Sequence, residues 1–182
     1  QFYLTEPQRA MANNSAVYNE KPSASLLLEE WLALAKSGSG ERGIFNRGGL
    51  KSQLPARRWR TLGKHAQTCG TNPCGEIVLR SKQFCNLSEV VARLEDTEET
   101  LLKKVRLATI LGTYQSMLTD FLYISKEWKK NCDEERLLGV SITGQWDCPA
   151  VRNPETLRKM RERAIEVNKE YAARFGINAS TC

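Results

Sequence analysis

Leu137-Leu138-Gly139-Val140-Ser141-Ile142-Thr143 is the stretch on which the reading of the whole chain turns. It is rich in β-branched and apolar residues and is closed by Gly144, the pattern of a short strand. Stretches of helical period flank it. Downstream, Asn153 precedes Pro154, which a first helical turn tolerates. Leu157, Met160, Ala164, Val167, Tyr171 and Phe175 then recur three or four apart, and Gly176 ends the run. Upstream, a more polar helix is predicted over residues 125–136. Before it, Asp96-x-x-Glu99 has the form of a capping box. That box opens a helix through Leu102, Val105, Ile110, Tyr114, Met117, Leu118 and Phe121. A further helix follows Pro22-Ser23, runs through Leu26, Leu27, Leu28, Trp31, Leu32 and Leu34, and is expected to stop at Ser37-Gly38-Ser39-Gly40. All these apolar stripes read as core faces. Ile77-Val78-Leu79 and Val90-Val91-Ala92 are weaker strand candidates. Strands alternating with long helices predict an α/β architecture with mainly parallel strands.

The chain has 182 residues, enough for one domain with a real core. It is read as a single stretch, 1–182, of one domain. Hydrophobic residues make up 41% and charged residues 26%, the balance of a soluble globular protein. No apolar run approaches the roughly 18 to 20 residues needed to cross a bilayer. Gln1-Phe2-Tyr3-Leu4-Thr5-Glu6 has neither a basic nor an apolar signal region, so a cytoplasmic protein with no membrane partner is expected. The chain does not open on Met and stops at Ala179-Ser180-Thr181-Cys182, and it is therefore read as an internal piece. The net charge is +6. Part of it sits in Arg57, Arg58, Arg60 and Lys64, with Trp59 the one aromatic among them. A solvated loop is the reading preferred there over a polyanion-binding surface. A small anionic substrate such as a nucleotide would suit the charge equally well. Six cysteines, at 69, 74, 85, 132, 148 and 182, form no Cys-x-x-Cys, and His65 is the one histidine, so no zinc site is expected.

Chemistry concentrates in Thr71-Asn72-Pro73-Cys74-Gly75-Glu76-Ile77. Pro73 and Gly75 argue against a helix, and Pro73 pushes Asn72 toward an extended conformation. In extended backbone, residues two apart share a side. Asn72, Cys74 and Glu76 are then expected to project together, with Pro73 and Gly75 on the other side. An amide, a thiol and a carboxyl on one face are a hydrogen-bonding handle, a redox atom and a base. Periodicity alone leaves open a plain surface turn with a buried Cys74 and a solvated Glu76.

Asn72-Pro73-Cys74-Gly75-Glu76 resembles the Asn-x-Cys-x-Glu finger loop of ribonucleotide reductases. Gln83-Phe84-Cys85-Asn86-Leu87-Ser88-Glu89-Val90 resembles the segment that follows it in the adenosylcobalamin-dependent class, where the second cysteine stands eleven residues after the first, as Cys85 does after Cys74. Met11-Ala12-Asn13-Asn14-Ser15, Ser37-Gly38-Ser39-Gly40-Glu41-Arg42-Gly43-Ile44-Phe45-Asn46-Arg47 and Gly139-Val140-Ser141-Ile142-Thr143-Gly144 are similar to segments of the same enzymes, in the same order. The resemblance implies part of a ten-stranded α/β barrel whose central cysteine loop carries the reaction, the reduction of ribonucleotides to deoxyribonucleotides.

By that resemblance Cys74 is the thiyl-radical cysteine that takes the substrate's 3′-hydrogen. Glu76 is the general base for the 3′-hydroxyl. Asn72 positions the sugar hydroxyls, and Cys85 is one half of the dithiol that ends as a disulfide. Asn72, Pro73, Cys74, Gly75 and Glu76 together make the substrate-binding loop. The implied cofactor is adenosylcobalamin, with no metal held directly by the protein. The implied partners are a ribonucleotide substrate, a deoxynucleotide effector and a thioredoxin-like or dithiol reductant, with no nucleic acid. The other half of the dithiol is expected upstream of Gln1 and the phosphate-binding loop beyond Cys182, so this stretch alone is expected to be inactive. Two rival readings stand beside this one: a reductase-derived piece kept as a non-catalytic element, and a basic nucleic-acid-binding module.

Overall fold

Helices and strands alternate along the chain, and the strands meet in pairs rather than in one sheet. The structure, a computed structural model, describes residues 5–38, 40 and 43–182. Ser39, Glu41 and Arg42, which belong to the motif stretches quoted above, lie outside the described residues, as does the stretch 1–4. The chain divides into two compact units, one ending at Ser81 and the other beginning at Lys82.

In the first unit, β1 (Ser15–Tyr18) runs parallel to β2 (Gly43–Asn46), in register from Ser15 against Gly43 to Tyr18 against Asn46. Parallel neighbours need a crossover, and α1 (Ala24–Ser37) provides it. Ser23 caps this helix, its hydroxyl accepting from the Leu26 amide at 3.3 Å. Next come α2 (Leu50–Gln53), α3 (Ala56–Leu62) and a short antiparallel pair, β3 (Gly70–Thr71) with β4 (Val78–Leu79). Leu50, Leu62 and Cys69 form the small core, with Phe45, Leu54, Trp59 and Val78 packed on it.

The second unit pairs β5 (Asn86–Val91) parallel to β6 (Leu138–Thr143), from Asn86 against Leu138 to Val91 against Thr143. The crossover carries α4 (Glu98–Gln115) and α5 (Lys126–Glu135), and α6 (Pro154–Phe175) follows β6. Helix α4 packs on β5, β6 and α6. The core joins Val90, Ala92, Leu101, Val105, Ala108, Cys148, Val151 and Met160. The strand expected at residues 137–143 and the helix expected after Asn153 are both found. Two of the three strand pairs are parallel, and the described residues form small sheets without a closed barrel.

Several expectations are corrected. Helix α4 is capped by Thr97, not Asp96: Thr97 and Thr100 exchange side-chain-to-backbone bonds at 3.0 and 3.3 Å. Asp96 instead accepts from the Arg93 amide, Thr100 and Lys104. The helix also stops at Gln115, short of Phe121. The Ser116 carbonyl, which would have carried the next turn, accepts from Arg136, itself held by Asp133 at 2.7 Å. A tertiary bond thus replaces helix propagation. The buried face of α4 is Leu101, Val105, Ala108, Thr109, Gly112 and Thr113. Gly112 gives close approach there, since a Cβ would lie 2.3 Å from Leu138 Cδ1 and the leucine would have to shift. Small residues let the helix approach the sheet, so Tyr114 and Leu118 of the predicted stripe stay exposed. Helix α1 has no buried residue at all, and Leu26, Leu28, Trp31 and Leu32 are exposed. Its stripe is amphipathic without being a core face in this chain. Finally, the basic cluster is no solvated loop. Arg57, Arg58 and Arg60 belong to α3, and Arg58 is buried, donating to the Val78 carbonyl at 2.7 Å.

Candidate functional site

The Asn72-to-Ile77 stretch is the tip of the β3–β4 hairpin, and Asn72 closes it twice. Its backbone amide donates to the Ile77 carbonyl at 3.1 Å, and its side-chain oxygen accepts from the Ile77 amide at 3.1 Å. Inside this ring the Gly75 amide donates to the Asn72 carbonyl at 3.0 Å, with Gly75 at φ +86°, a conformation that side-chain-bearing residues rarely adopt. The remaining donor of the Asn72 amide reaches Glu76 Oε1 at 2.5 Å. Asn72 and Glu76 therefore meet, as expected, but through a chain reversal.

The alternation read from an extended backbone does not hold here. Two paired strands must be joined within a few residues, so the backbone turns at 73–74 and bends at 75–77. Pro73 and Gly75 consequently stand with Cys74 along one cleft instead of opposite it. The Cys74 thiol is exposed.

That cleft, about 370 Å³, lies within the first unit. Its walls are residues 13–15 at the start of β1, Gly40 and residues 43–45 of β2, and Thr71 with residues 73–75 of the hairpin. Among the described residues the lining side chains are amide, hydroxyl, apolar and thiol, and neither Asn72 nor Glu76 is one of them. The Asn13 amide donates to the Pro73 carbonyl, tying the hairpin tip to the lead into β1. The neighbouring Asn14 donates to the Ala12 and Arg9 carbonyls at 2.6 and 2.9 Å, while its own carbonyl accepts from Gly43 at 2.8 Å. Asn13 was given no role in the reading of the sequence. The available signal was a pair of asparagines just before a strand, a position where a side-chain amide often bonds neighbouring backbone.

Beneath the hairpin, Arg58 holds β4, Arg47 donates to the Gln67 carbonyl, and Arg80 Nη1 lies 3.3 Å from His65 Nε2. Cys69 is buried, and burial pushes its thiol up against the opposing pull of Arg47 and Arg58. This thiol is a packing group, not a nucleophile.

Cys85 lies in the second unit, half-buried, immediately before β5. The segment carrying it is bound along α5. Lys82 pairs with Glu127 at 2.5 Å, and Asn131 donates to the Lys82 carbonyl at 3.1 Å. Gln83 donates to Glu135 at 2.7 Å, and the Phe84 amide donates to Cys132 Sγ at 3.4 Å. The Phe84 ring stacks on Trp128 with centroids 4.5 Å apart. All six cysteines are unbridged, with Cys132 and Cys148 buried and Cys182 exposed. Among the described residues no group of three or more His, Cys, Asp or Glu could hold a metal ion, and no helix is long and apolar enough to cross a membrane.

An adenosylcobalamin-dependent ribonucleoside-triphosphate reductase of Lactobacillus gasseri is 28% identical to this chain over 138 residues, which are 76% of the chain. The chain spans only 17% of that relative's length. No protein-family profile matches the chain. No solved structure matches it either.

Proposed function

We propose that this chain is a portion of the catalytic domain of an adenosylcobalamin-dependent ribonucleotide reductase, holding its radical cysteine and one redox cysteine. One observation carries the reading. Three stretches far apart in sequence, each resembling the same enzymes, meet around one cleft in which the Cys74 thiol is exposed. The similarity to the Lactobacillus gasseri enzyme supports the same reading.

In this reading the sugar of the ribonucleotide enters the cleft beside Cys74, and Glu76, which is not among the residues lining it, reaches the sugar from the same hairpin tip. Cys74, as a thiyl, takes the 3′-hydrogen, forming its S–H bond as the substrate's C–H bond breaks. Because the two bonds are close in strength, the transfer is nearly balanced and reversible. Glu76 accepts the 3′-hydroxyl proton. Asn72 holds one carboxylate oxygen by its amide and leaves the other for that proton. The 2′-hydroxyl then leaves as water with one proton from the dithiol. Cys85 and a second thiol supply two electrons and the second proton as they become a disulfide, and Cys74 returns its hydrogen to the 3′ carbon. An exposed thiol beside an open cleft is compatible with an adenosyl group reaching Cys74. When bound, adenosylcobalamin supplies the homolysis that makes the thiyl. The closed ten-stranded barrel belongs to the proposal for the whole protein.

The test is reconstitution of the full-length protein that contains this chain. With ribonucleotide, adenosylcobalamin and a dithiol, and with neither oxygen nor a second subunit, deoxynucleotide should form. Activity appearing only with an added metal-containing subunit would remove the cofactor assignment and leave the residue roles standing. No activity under either condition would favour the non-catalytic alternative.

A further inference from the structure

Glu135 is fully buried, and each of its carboxylate oxygens is taken by a different segment. Oε2 accepts from Gln83 Nε2 at 2.7 Å, two residues before Cys85. Oε1 accepts from the Thr181 hydroxyl at 3.2 Å, and the Glu135 carbonyl accepts from the Thr181 amide at 3.1 Å. Gln83 is itself buried and also donates to the Asn131 carbonyl at 3.2 Å. The stretch leading into Thr181 is fixed as well. Asn178 donates to the Asp133 carbonyl at 3.1 Å, and the Ser180 hydroxyl accepts from the Leu138 amide, at the first residue of β6, at 3.2 Å. The Ser180 amide donates to Asn168 at 2.8 Å.

A buried carboxylate is costly unless its oxygens are satisfied, so a site that spends both on two distant segments holds them in one arrangement. We infer that Glu135 is a positioning residue, joining the segment of Cys85 to the segment at 178–182 so that the Cys85 thiol is held at a fixed exposure and orientation. Dithiol chemistry depends on the approach of one sulfur to another, and a thiol on a loose segment loses that geometry. This inference rests on the redox role proposed for Cys85, but the placement itself is open to measurement without turnover.

The experiment uses the full-length protein with Gln83→Glu, which sets two carboxylates face to face, and with Gln83→Glu combined with Glu135→Gln, which exchanges donor and acceptor across the same contact. Alkylation of Cys85 by N-ethylmaleimide is followed by peptide mass spectrometry, with Cys74 as internal reference. Gln83→Glu should change the Cys85 rate about tenfold or more relative to Cys74, the scale set by losing a buried hydrogen bond to a charged group. The double variant should return part of the way, since the Gln83 bond to the Asn131 carbonyl is lost in both. Multiple-turnover reduction should fall with the single variant, recover with the double, and leave 3′-hydrogen exchange intact in both. An unchanged Cys85 rate, or equal changes at Cys74 and Cys85, overturns the positioning role. A selective, rescued change at Cys85 with unaffected turnover supports the placement and removes the redox role of Cys85 instead.

Discussion

The two cysteines singled out by the sequence sit in contrasting settings. Cys74 stands at an exposed hairpin tip, held by one asparagine that closes the ring and another that ties it to β1. Cys85 stands on a segment bound to a helix through an ion pair, buried amides, a carboxylate and a stacked aromatic pair. The first arrangement presents a thiol to whatever enters a cleft. The second restrains a thiol by packing, and Gln83, Asn131 and Glu135 are buried where a lost bond is expensive. The core clusters differ as well: among the described residues Leu50, Leu62 and Cys69 form one in the first unit, and eight buried residues from Val90 to Met160 form the other in the second. In the proposed roles the first thiol would act through exposure and the second through restraint.

The sharpest way to break this contrast is by serine substitution in the full-length enzyme. Cys74→Ser should abolish turnover and 3′-hydrogen exchange together, because an alkoxyl radical is much harder to form than a thiyl. Cys85→Ser should keep hydrogen exchange and lose sustained deoxynucleotide formation. Multiple turnovers by Cys85→Ser with an ordinary dithiol would erase the difference in role.

A second, smaller effect concerns stability. Leu101 is completely buried in the larger core, and Leu101→Ala should cost about 2 to 5 kcal/mol in urea unfolding. Leu62→Ala, in the core of three, should sit at the lower end of that range, since fewer neighbours lose contacts. Equal losses would mean that core size does not separate the units.

The smallest effect is a dependence on acid pH at Asp96, in the second unit. The hydrogen bond from Lys104 holds the Asp96 carboxyl below its ordinary value, with Thr100 assisting. A carboxyl lowered in the folded state binds its proton less readily there than when unfolded. Its stabilisation is therefore full above pH about 4 and is lost as the pH falls through and below that value. Asp96→Asn should flatten this part of the stability profile, measured by urea midpoints between neutral and acid pH. A profile unchanged by the substitution would remove Asp96 from the account.

Local chemistry made part of this legible in advance. Asn153-Pro154 and Gly176 bound α6 at the residues where they were expected to, because caps and stops act within a turn. The β-branched run at 138–143 is a strand, and the chemical residues at 72–76 lie on one irregular loop. What sequence reading missed was everything that depended on a neighbour. Helix α4 stops at Gln115 because Arg136, twenty residues on, takes the Ser116 carbonyl. Its buried face narrows to Thr109, Gly112 and Thr113 toward the C-terminal end, where Gly112 lies close against Leu138 of β6. Arg58, read as solvated, is buried because the Val78 carbonyl accepts from it. The side on which Cys74 stands was set by hairpin closure, not by the two-residue period of a strand. The sequence by itself thus determined which segments could be helix, strand or reactive loop, since those preferences reside in single residues and their near neighbours. Only the tertiary structure decided where helices end, which polar groups are buried and which way the thiols face, because each of those outcomes is a contact between residues that the chain order does not place together.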